Sequence, residues 1–251
     1  MPRKGASPPP TLLLPELLYV CHCPLKAHTD LCTHRVWYVA PERDHARLPE
    51  QVAGLQQLRR PLCFIIDPID GTWNYANGLA TFGVIVAATR FGQPIFGLLY
   101  DPLQDDYMIA EQGVEGAGFV ASCGAKKSLK TSVGGALNQL NGFIHLYQVP
   151  APKQARLAAC LPHFGNMSNL RCSCHEYRLL AQGSFDFCLA GIVKPWDHAA
   201  GVLICQKAGG YVKMLDGREY SAAHKDGYLL AACDRATWNR LQELFAFLLT
   251  P

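Results

Sequence analysis

From about residue 61 onward, apolar residues recur in runs and alternations that predict a regular succession of strands. Short apolar runs bounded by glycine, proline or aspartate are typical of buried strands. The predicted strands are LCFIID (62–67), FGVIVAATR (82–90), PIFGLLYDP (94–102), DYMIAEQG (106–113), GAGFVA (116–121), GFIHLYQV (142–149), SFDFCLA (184–190), YVKML (211–215) and GYLLAAC (227–233).

Helical patterns alternate with these strands in the second half of the chain. The predicted helices are PKQARLAACL (152–161), HEYRLLAQG (175–183), DHAAGVLICQKAGG (197–210) and RATWNRLQELFAFLL (235–249). Pro152 suits a first helical turn, and Gly183 suits a helix end. The sequence shows no internal repeat. Strands and helices mix along the chain, which predicts an α/β or α+β class.

Residues 1–60 differ from the rest in composition. MPRKGASPPP is basic and proline-rich, which predicts a disordered start. The stretch at 21–34 then contains three cysteines and three histidines: Cys21, His22, Cys23, His28, Cys32 and His34. Zinc is one interpretation of this cluster, but its spacing matches no common CxxC pairing and no second pair follows. The alternative is an irregular segment without a metal.

Composition narrows the functional classes. The 251 residues are 49% hydrophobic and 17% charged, as in a globular protein with an ample core. The net charge of +3 is too mild to favour nucleic acid as a partner. No apolar run is long enough to cross a bilayer, so we expect no membrane contact. The eleven cysteines, several in apolar runs, predict a reduced, cytoplasmic protein.

The segment DPIDGT (67–72) follows a buried strand and carries two carboxylates, Asp67 and Asp70. Gly71 permits a positive φ or a close backbone approach, and Thr72 begins a stretch that can be helical. Two nearby carboxylates beside a free helix N-terminus favour hard cations that bridge to a phosphate. The alternative is an Asx-turn in which Asp70 caps the helix, but this leaves Asp67 without a role.

A second candidate segment is PWDHAAG (195–201), in which Asp197 begins a helix of small residues. An ordinary N-cap aspartate explains this segment equally well when it is considered alone.

The two segments together resemble the inositol monophosphatase family, which is related to the fructose bisphosphatases. In that family DPIDGT is followed by Asn and an aromatic residue, as at Asn74-Tyr75, and a WDxAAG motif comes about 125 residues later. GLLYDP, YMIAEQGVEGAGF and QKAGGYV also fit the family pattern, so the resemblance covers about residues 61–248. It implies a layered αβαβα sandwich with two subdomains, here 61–147 and 148–251. The two N-terminal helices of the family are missing or atypical in residues 1–60.

The resemblance also implies a role for each motif position. Asp67 and Asp70 would bind metal, the Ile69 carbonyl would contribute a ligand, and Asp197 would hold the second of two or three Mg²⁺ ions and contact substrate. Gly71 and Thr72 would bind phosphate through their backbone N–H groups. The Thr72 hydroxyl would orient the attacking water.

Other family positions are altered in this chain. Glu50, in LPEQVAG, stands where the family has the first Glu of GEE, a metal ligand that helps to activate water. Asp30, in HTDLC, is the counterpart of a further upstream Asp. Ala190 replaces a Glu that touches an inositol hydroxyl in several family members. His175 and Glu176 replace small residues, and they are either substrate contacts or a solvated or capping pair.

The resemblance therefore predicts a Mg²⁺-dependent phosphoric monoester hydrolase acting on a small phosphorylated metabolite, as a homodimer. Inositol monophosphate and histidinol phosphate are both open as substrates. The alternatives are a sugar or nucleotide bisphosphatase of the same superfamily, or a degenerate homologue that binds metal without catalysis.

Overall fold

A computed structural model describes residues 60–250 and the backbone of Trp37–Tyr38. Seven antiparallel strands form the first sheet, and each pairs with its neighbour in chain order. They are β1 (Trp37–Tyr38), β2 (Cys63–Asp70), β3 (Gly83–Arg90), β4 (Gln93–Asp101), β5 (Asp106–Glu111), β6 (Gly118–Val120) and β7 (Lys126–Ser128). The β3–β4 pair is a hairpin in which Arg90 pairs with Gln93.

The first sheet is apolar on both faces because its central strands carry hydrophobic residues at nearly every position. In β3, Ile85 and Ala87 belong to the main core, whereas Val84 and Val86 belong to a separate cluster with residues of β4. Successive side chains point to opposite faces of a strand, so the two sets lie on opposite sides of the sheet. A continuous apolar run here therefore marks a strand buried on both sides.

The second sheet has the order β11-β12-β10-β8-β9. Its strands are β8 (Asn141–Ile144), β9 (Asn166–Ser168), β10 (Phe187–Ala190), β11 (Tyr211–Met214) and β12 (Leu229–Ala232). The β8–β9 and β8–β10 pairs are parallel, and the β10–β12 and β11–β12 pairs are antiparallel.

The α-helices are α1 (Thr72–Ala76), α2 (Ala151–Ala158), α3 (Ser173–Ala181), α4 (Pro195–Lys207) and α5 (Arg235–Phe245). Short 3₁₀ turns cover Leu137–Gln139, Leu146–Gln148, Leu161–His163 and Ala246–Leu249. Helices α3 and α4 pack between the two sheets, and α5 packs on the far face of the second sheet. A Cβ atom at Gly97 of β4 would lie 2.7 Å from the Ala200 carbonyl oxygen, so glycine allows α4 to approach the first sheet closely.

This arrangement of alternating sheets and helices confirms the layered α/β fold that the sequence predicts. Apart from the backbone of Trp37–Tyr38, residues 1–59 lie outside the described residues. The predictions of a disordered start, of missing or atypical N-terminal helices and, as one interpretation, of zinc at the 21–34 cluster therefore stay predictions. No helix among the described residues has the length and hydropathy needed to cross a membrane. The eight cysteines of the described part form no disulfide with one another.

Several element boundaries differ from the sequence prediction. Strand β2 continues through Asp70 instead of ending at Asp67, and residues 146–148 form a 3₁₀ turn instead of extending β8. The short strands β7 and β9 were not predicted, since neither has an apolar run and both are held by pairing with a neighbour. Helix α4 begins at Pro195 with Lys194 as its N-cap, so the prediction that Asp197 starts the helix is wrong.

Candidate active site

A polar cleft of about 190 Å³ lies where the end of β2, the start of α1, the loop before α3 and the first turn of α4 meet. Its lining consists of Asp67, Ile69, Asp70, Gly71, Thr72, Trp73, Arg171 and Asp197. All six positions predicted from DPIDGT and WDHAAG, namely Asp67, Ile69, Asp70, Gly71, Thr72 and Asp197, therefore lie around one cavity.

An irregularity in β2 lies between its two carboxylate residues. Asp67 pairs with Ile85 of β3, and the next paired residue is Asp70, opposite Gly83, so the register shifts between them. The Asp67 side chain accepts a hydrogen bond from the Ile69 N–H at 3.2 Å, which closes a local turn. Such irregularities reorient side chains beside active sites.

Asp70 is only 7% exposed, and its carboxylate contacts the N-terminal end of α3. It accepts a hydrogen bond from the Cys174 backbone N–H at 2.6 Å and a weaker one from the Cys172 thiol at 3.2 Å. Burial raises the pKa of Asp70 well above its ordinary value, and the charges of Asp197 and Asp67 raise it further. The hypothesis that Asp70 caps α1 is wrong, because Gly71 is the N-cap and no side chain caps that helix.

Gly71 turns the chain from β2 into α1 with a φ of +83°, which residues with a side chain rarely adopt. A Cβ atom there would lie 2.8 Å from the Thr81 carbonyl oxygen. The Asn74 side-chain amide donates to this same oxygen at 2.8 Å and to the Leu170 carbonyl oxygen at 2.7 Å. Asn74 therefore fixes α1 to the loop that contains Leu170 and Arg171.

Asp197 is the third residue of α4, and the helix turns its carboxylate toward β2. Carboxylate oxygens of Asp67, Asp70 and Asp197 all lie within 4.8 Å of one another. An N-cap role for Asp197 is contradicted by its position, since Lys194 precedes the helix and no side chain caps it. Three converging carboxylates form an oxygen donor set that fits a hard divalent cation such as Mg²⁺.

The other candidate residues are placed differently. His175 contacts the Phe82 carbonyl oxygen through Nε2 at 3.0 Å, away from the cleft lining. Glu176 is 1% exposed, and its carboxylate contacts His145 Nε2 and accepts a hydrogen bond from the Leu170 N–H. A solvated His175–Glu176 pair is thereby contradicted, because both side chains are engaged inside the protein. Glu50 and Asp30 lie outside the described residues.

Two cleft residues, Trp73 and Arg171, are absent from the sequence-based site. The Arg171 guanidinium lies 4.0 Å from the centroid of the Trp73 ring, which is 48% exposed. Arg171 adopts a φ of +54°, an uncommon conformation for a non-glycine residue. No local pattern marks Arg171, whereas Trp73 directly follows Thr72, and this adjacency to the motif is a signal that could have identified it.

Comparison of the sequence with models of known protein families identifies the family of this chain. The family model described as "Inositol monophosphatase family" matches residues 44–249. The chain therefore belongs to the inositol monophosphatase family.

Individual relatives are similar at a moderate level. "Nus factor SuhB" of Pasteurella multocida is 30% identical over 203 residues, covering 76% of this chain and 70% of that protein. "Inositol-1-monophosphatase" of Mesorhizobium japonicum is 28% identical, covering 61% of this chain and 57% of the relative. The match thus spans less than two thirds of the Mesorhizobium protein. The solved inositol monophosphatase from Anabaena superposes with a TM-score of 0.65 at 23% identity, covering 75% of this chain and 73% of the other.

Proposed function

We propose that this protein is a Mg²⁺-dependent phosphomonoesterase that hydrolyses a small phosphorylated metabolite. The observation that carries the proposal is the convergence of Asp67, Asp70 and Asp197, with oxygens within 4.8 Å of one another, beside the Gly71–Thr72 turn. Family membership supports phosphatase activity. That the protein acts as a homodimer, without nucleic acid or a membrane, stays a prediction from sequence.

In this proposal the carboxylates of Asp67, Asp70 and Asp197, with the Ile69 carbonyl, would hold two or three ions, and Glu50 would contribute from the preceding segment. Bound divalent ions in phosphatases lower the pKa of water and neutralise charge on the transferring group. The protein's own contribution is to hold these oxygens in place before substrate arrives. The Cys174 N–H does this for Asp70, and the Ile69 N–H does it for Asp67.

The phosphate would lie against the start of α1. The first N–H groups of a helix have no partner within it, so those near Thr72 are available to phosphate oxygens. We propose that the Gly71 and Thr72 N–H groups bind the phosphate and that the Thr72 hydroxyl orients the attacking water. Asn74 keeps this turn rigid through its two carbonyl partners.

Arg171 favours a second candidate function, hydrolysis of a sugar or nucleotide bisphosphate. It is the basic residue in the cleft lining, and its guanidinium lies 4.0 Å from the centroid of the Trp73 ring. Guanidinium groups bind phosphate through two parallel hydrogen bonds. A substrate with a second phosphate would therefore find a partner at this position.

The test is phosphate release by the full chain across a panel of inositol monophosphate, histidinol phosphate, a sugar bisphosphate and a nucleotide bisphosphate. Each is assayed with Mg²⁺ and with excess chelator. Mg²⁺-dependent release that Asp67→Asn abolishes supports the proposal, and the preferred substrate separates the two candidates. Absence of release from every compound, together with stoichiometric Mg²⁺ binding, would instead favour the degenerate homologue.

A further inference from the structure

A second group of metal-ligand side chains lies inside the protein, apart from the carboxylates of the cleft. His145 follows the end of β8, Cys188 lies on β10 and Glu176 lies on α3. Their exposed fractions are 8%, 4% and 1%, respectively. None of the three lines the cleft.

The fold brings these side chains together from three elements. Strands β8 and β10 are parallel, with Cys188 opposite Phe143 and Leu189 opposite Ile144. His145 is the next residue after Ile144, and its N–H donates to the Leu189 carbonyl oxygen at 3.3 Å. Alternation along the strands therefore places the His145 and Cys188 side chains on the face that packs against α3, where Glu176 lies.

The distances among the three donor atoms resemble one face of a metal tetrahedron. His145 Nε2 lies 2.7 Å from Glu176 Oε2, and Cys188 Sγ lies 4.0 Å from the nitrogen and 3.9 Å from the oxygen. Zinc bonds of about 2.0–2.1 Å to N or O and about 2.3 Å to S require separations of roughly 3.4 Å and 3.6 Å in tetrahedral geometry. An increase of about 0.7 Å in the His–Glu distance and a decrease of about 0.3–0.4 Å in the two sulfur distances would place all three donors at zinc-bonding separations, on one face of the tetrahedron.

The carboxylate of Glu176 is already oriented for this role. Its second oxygen, Oε1, accepts a hydrogen bond from the Leu170 N–H at 2.9 Å, which leaves Oε2 directed at His145. In metal sites, hydrogen-bond partners that do not themselves bind the metal fix the orientation of the ligand side chains. The donor set of imidazole, thiolate and carboxylate is typical of zinc and differs from the all-oxygen set in the cleft.

We propose that His145, Glu176 and Cys188 bind a zinc-type divalent cation that joins α3 to the second sheet. The site is structural and buried, so the ion is incorporated as the chain folds. Binding releases the Cys188 thiol proton to solvent, and the proton between His145 Nε2 and Glu176 Oε2 must also leave that hydrogen bond, because the ligand forms are thiolate, neutral imidazole nitrogen and carboxylate. The proposal does not depend on which phosphorylated substrate the cleft accepts.

The experiment uses Co²⁺ as a spectroscopic probe in the full chain, produced with Co²⁺ in the medium and then freed of loosely bound metal. A thiolate ligand to Co²⁺ gives a sulfur-to-cobalt charge-transfer band. We expect this band, with about one equivalent of cobalt, in the wild type and in Cys205→Ala. Cys205 is an equally buried thiol on α4 and serves as the matched control.

Cys188→Ala is expected to abolish the band, and His145→Gln to weaken or shift it. Two further variants test other thiols as the source of the band. Cys172→Ala removes the thiol that contacts Asp70, and a triple replacement of Cys21, Cys23 and Cys32 by Ser removes those that are near histidines in the sequence. A band that survives Cys188→Ala, or one that disappears in either of those controls alone, would overturn the proposal. So would a wild-type protein with no band, which would show that the three residues are a hydrogen-bonded group only.

Thermal unfolding provides a second measurement that does not require the variants to be active. The melting temperature of the metal-free wild type and of Cys205→Ala is expected to rise when the protein is refolded with Zn²⁺, because a ligand that binds only the folded state stabilises it. The rise should be smaller in Cys188→Ser, the closest substitution in size, because, of the two metal-ligand groups among the described residues, only the three carboxylates of the cleft then remain to bind Zn²⁺. An equal rise in Cys188→Ser would contradict the proposal, even if Cys188→Ala proves too unstable to purify.

Discussion

The Asp70 carboxylate accepts a hydrogen bond of 2.6 Å from the Cys174 backbone N–H, which lies 104 positions later in the chain. Asp70 ends β2 in the first sheet, and Cys174 is in the first turn of α3, between the sheets. Since a helix leaves its first N–H groups without partners, this bond satisfies one of them with a carboxylate. It couples the position of a proposed metal ligand to the packing of α3.

Replacement of Asp67 by Asn is expected to abolish activity while the fold is retained. The substitution keeps the side-chain size and an oxygen that can accept from Ile69, but it removes a negative charge from the three carboxylates. Because the repulsion among them decreases, the metal-free variant should unfold at the same or a higher temperature than the metal-free wild type. Asp226→Asn is the control, because it replaces a carboxylate by an amide at an exposed site. Near-normal Mg²⁺-dependent turnover in Asp67→Asn would disprove the metal-ligand role.

The Asp197→Asn variant tests whether Asp197 acts as a metal ligand or only stabilises α4. Asp197 is not the N-cap of α4, and loss of a single charge in the first turn costs about 0.3–1 kcal/mol. We therefore expect a small change in unfolding free energy, a collapse of activity and a higher Mg²⁺ requirement. Denaturant unfolding and a Mg²⁺ titration of phosphate release measure the two effects. Activity within a few-fold of the wild type would favour a purely structural role.

Gly71→Ala should be more damaging than Gly78→Ala, although both glycines have a positive φ, of +83° and +74°. The left-handed conformation costs an alanine roughly 1–2 kcal/mol at either site. At Gly71 the new Cβ would also lie 2.8 Å from the Thr81 carbonyl oxygen, whereas nothing lies within 4 Å of it at Gly78.

Phosphate release should therefore fall far more in Gly71→Ala than in Gly78→Ala, at equal folded fraction. The measurement is phosphate release per amount of folded protein, with the folded fraction of each variant determined by circular dichroism. Equal activity in the two variants would mean that the turn before Thr72 does not position the substrate.

Arg171→Gln is expected to raise KM by about tenfold or more with a smaller effect on kcat. The substitution removes the positive charge that lies over Trp73 but none of the proposed metal ligands. A hydrogen bond to a charged group is worth about 1.5–3 kcal/mol, which corresponds to at least a tenfold change in binding.

Arg156→Gln is the control for Arg171→Gln, because Arg156 also lies over an aromatic ring, Phe247, but outside the cleft. Steady-state kinetics with a monophosphate and a bisphosphate check the prediction, and the bisphosphate should lose more. Unchanged KM for both substrates would show that Arg171 does not contact them.

Local sequence was sufficient for the strands with apolar runs and for the motif residues, but not for the short strands β7 and β9. The apolar runs of β2, β3 and β4 predict buried strands because hydrophobic burial depends mainly on which residues are present. Asp67, Asp70 and Thr72 could be identified because glycine and closely spaced carboxylates are unusual next to a buried strand. The family resemblance then added Asp197, whose local sequence alone fitted a helix cap equally well.

Tertiary structure decided which side chains meet. Only the packing of α4 against the first sheet brings Asp197 to Asp67 and Asp70, and only α3 supplies the N–H that holds Asp70. Glu176 was paired in sequence with its neighbour His175, yet in the fold its partner is His145, 31 positions earlier. Residues next to each other on a helix point in different directions, whereas strand pairing brings distant residues within hydrogen-bond distance. Contacts of this kind depend on the arrangement of several elements, and no local pattern in the sequence records them.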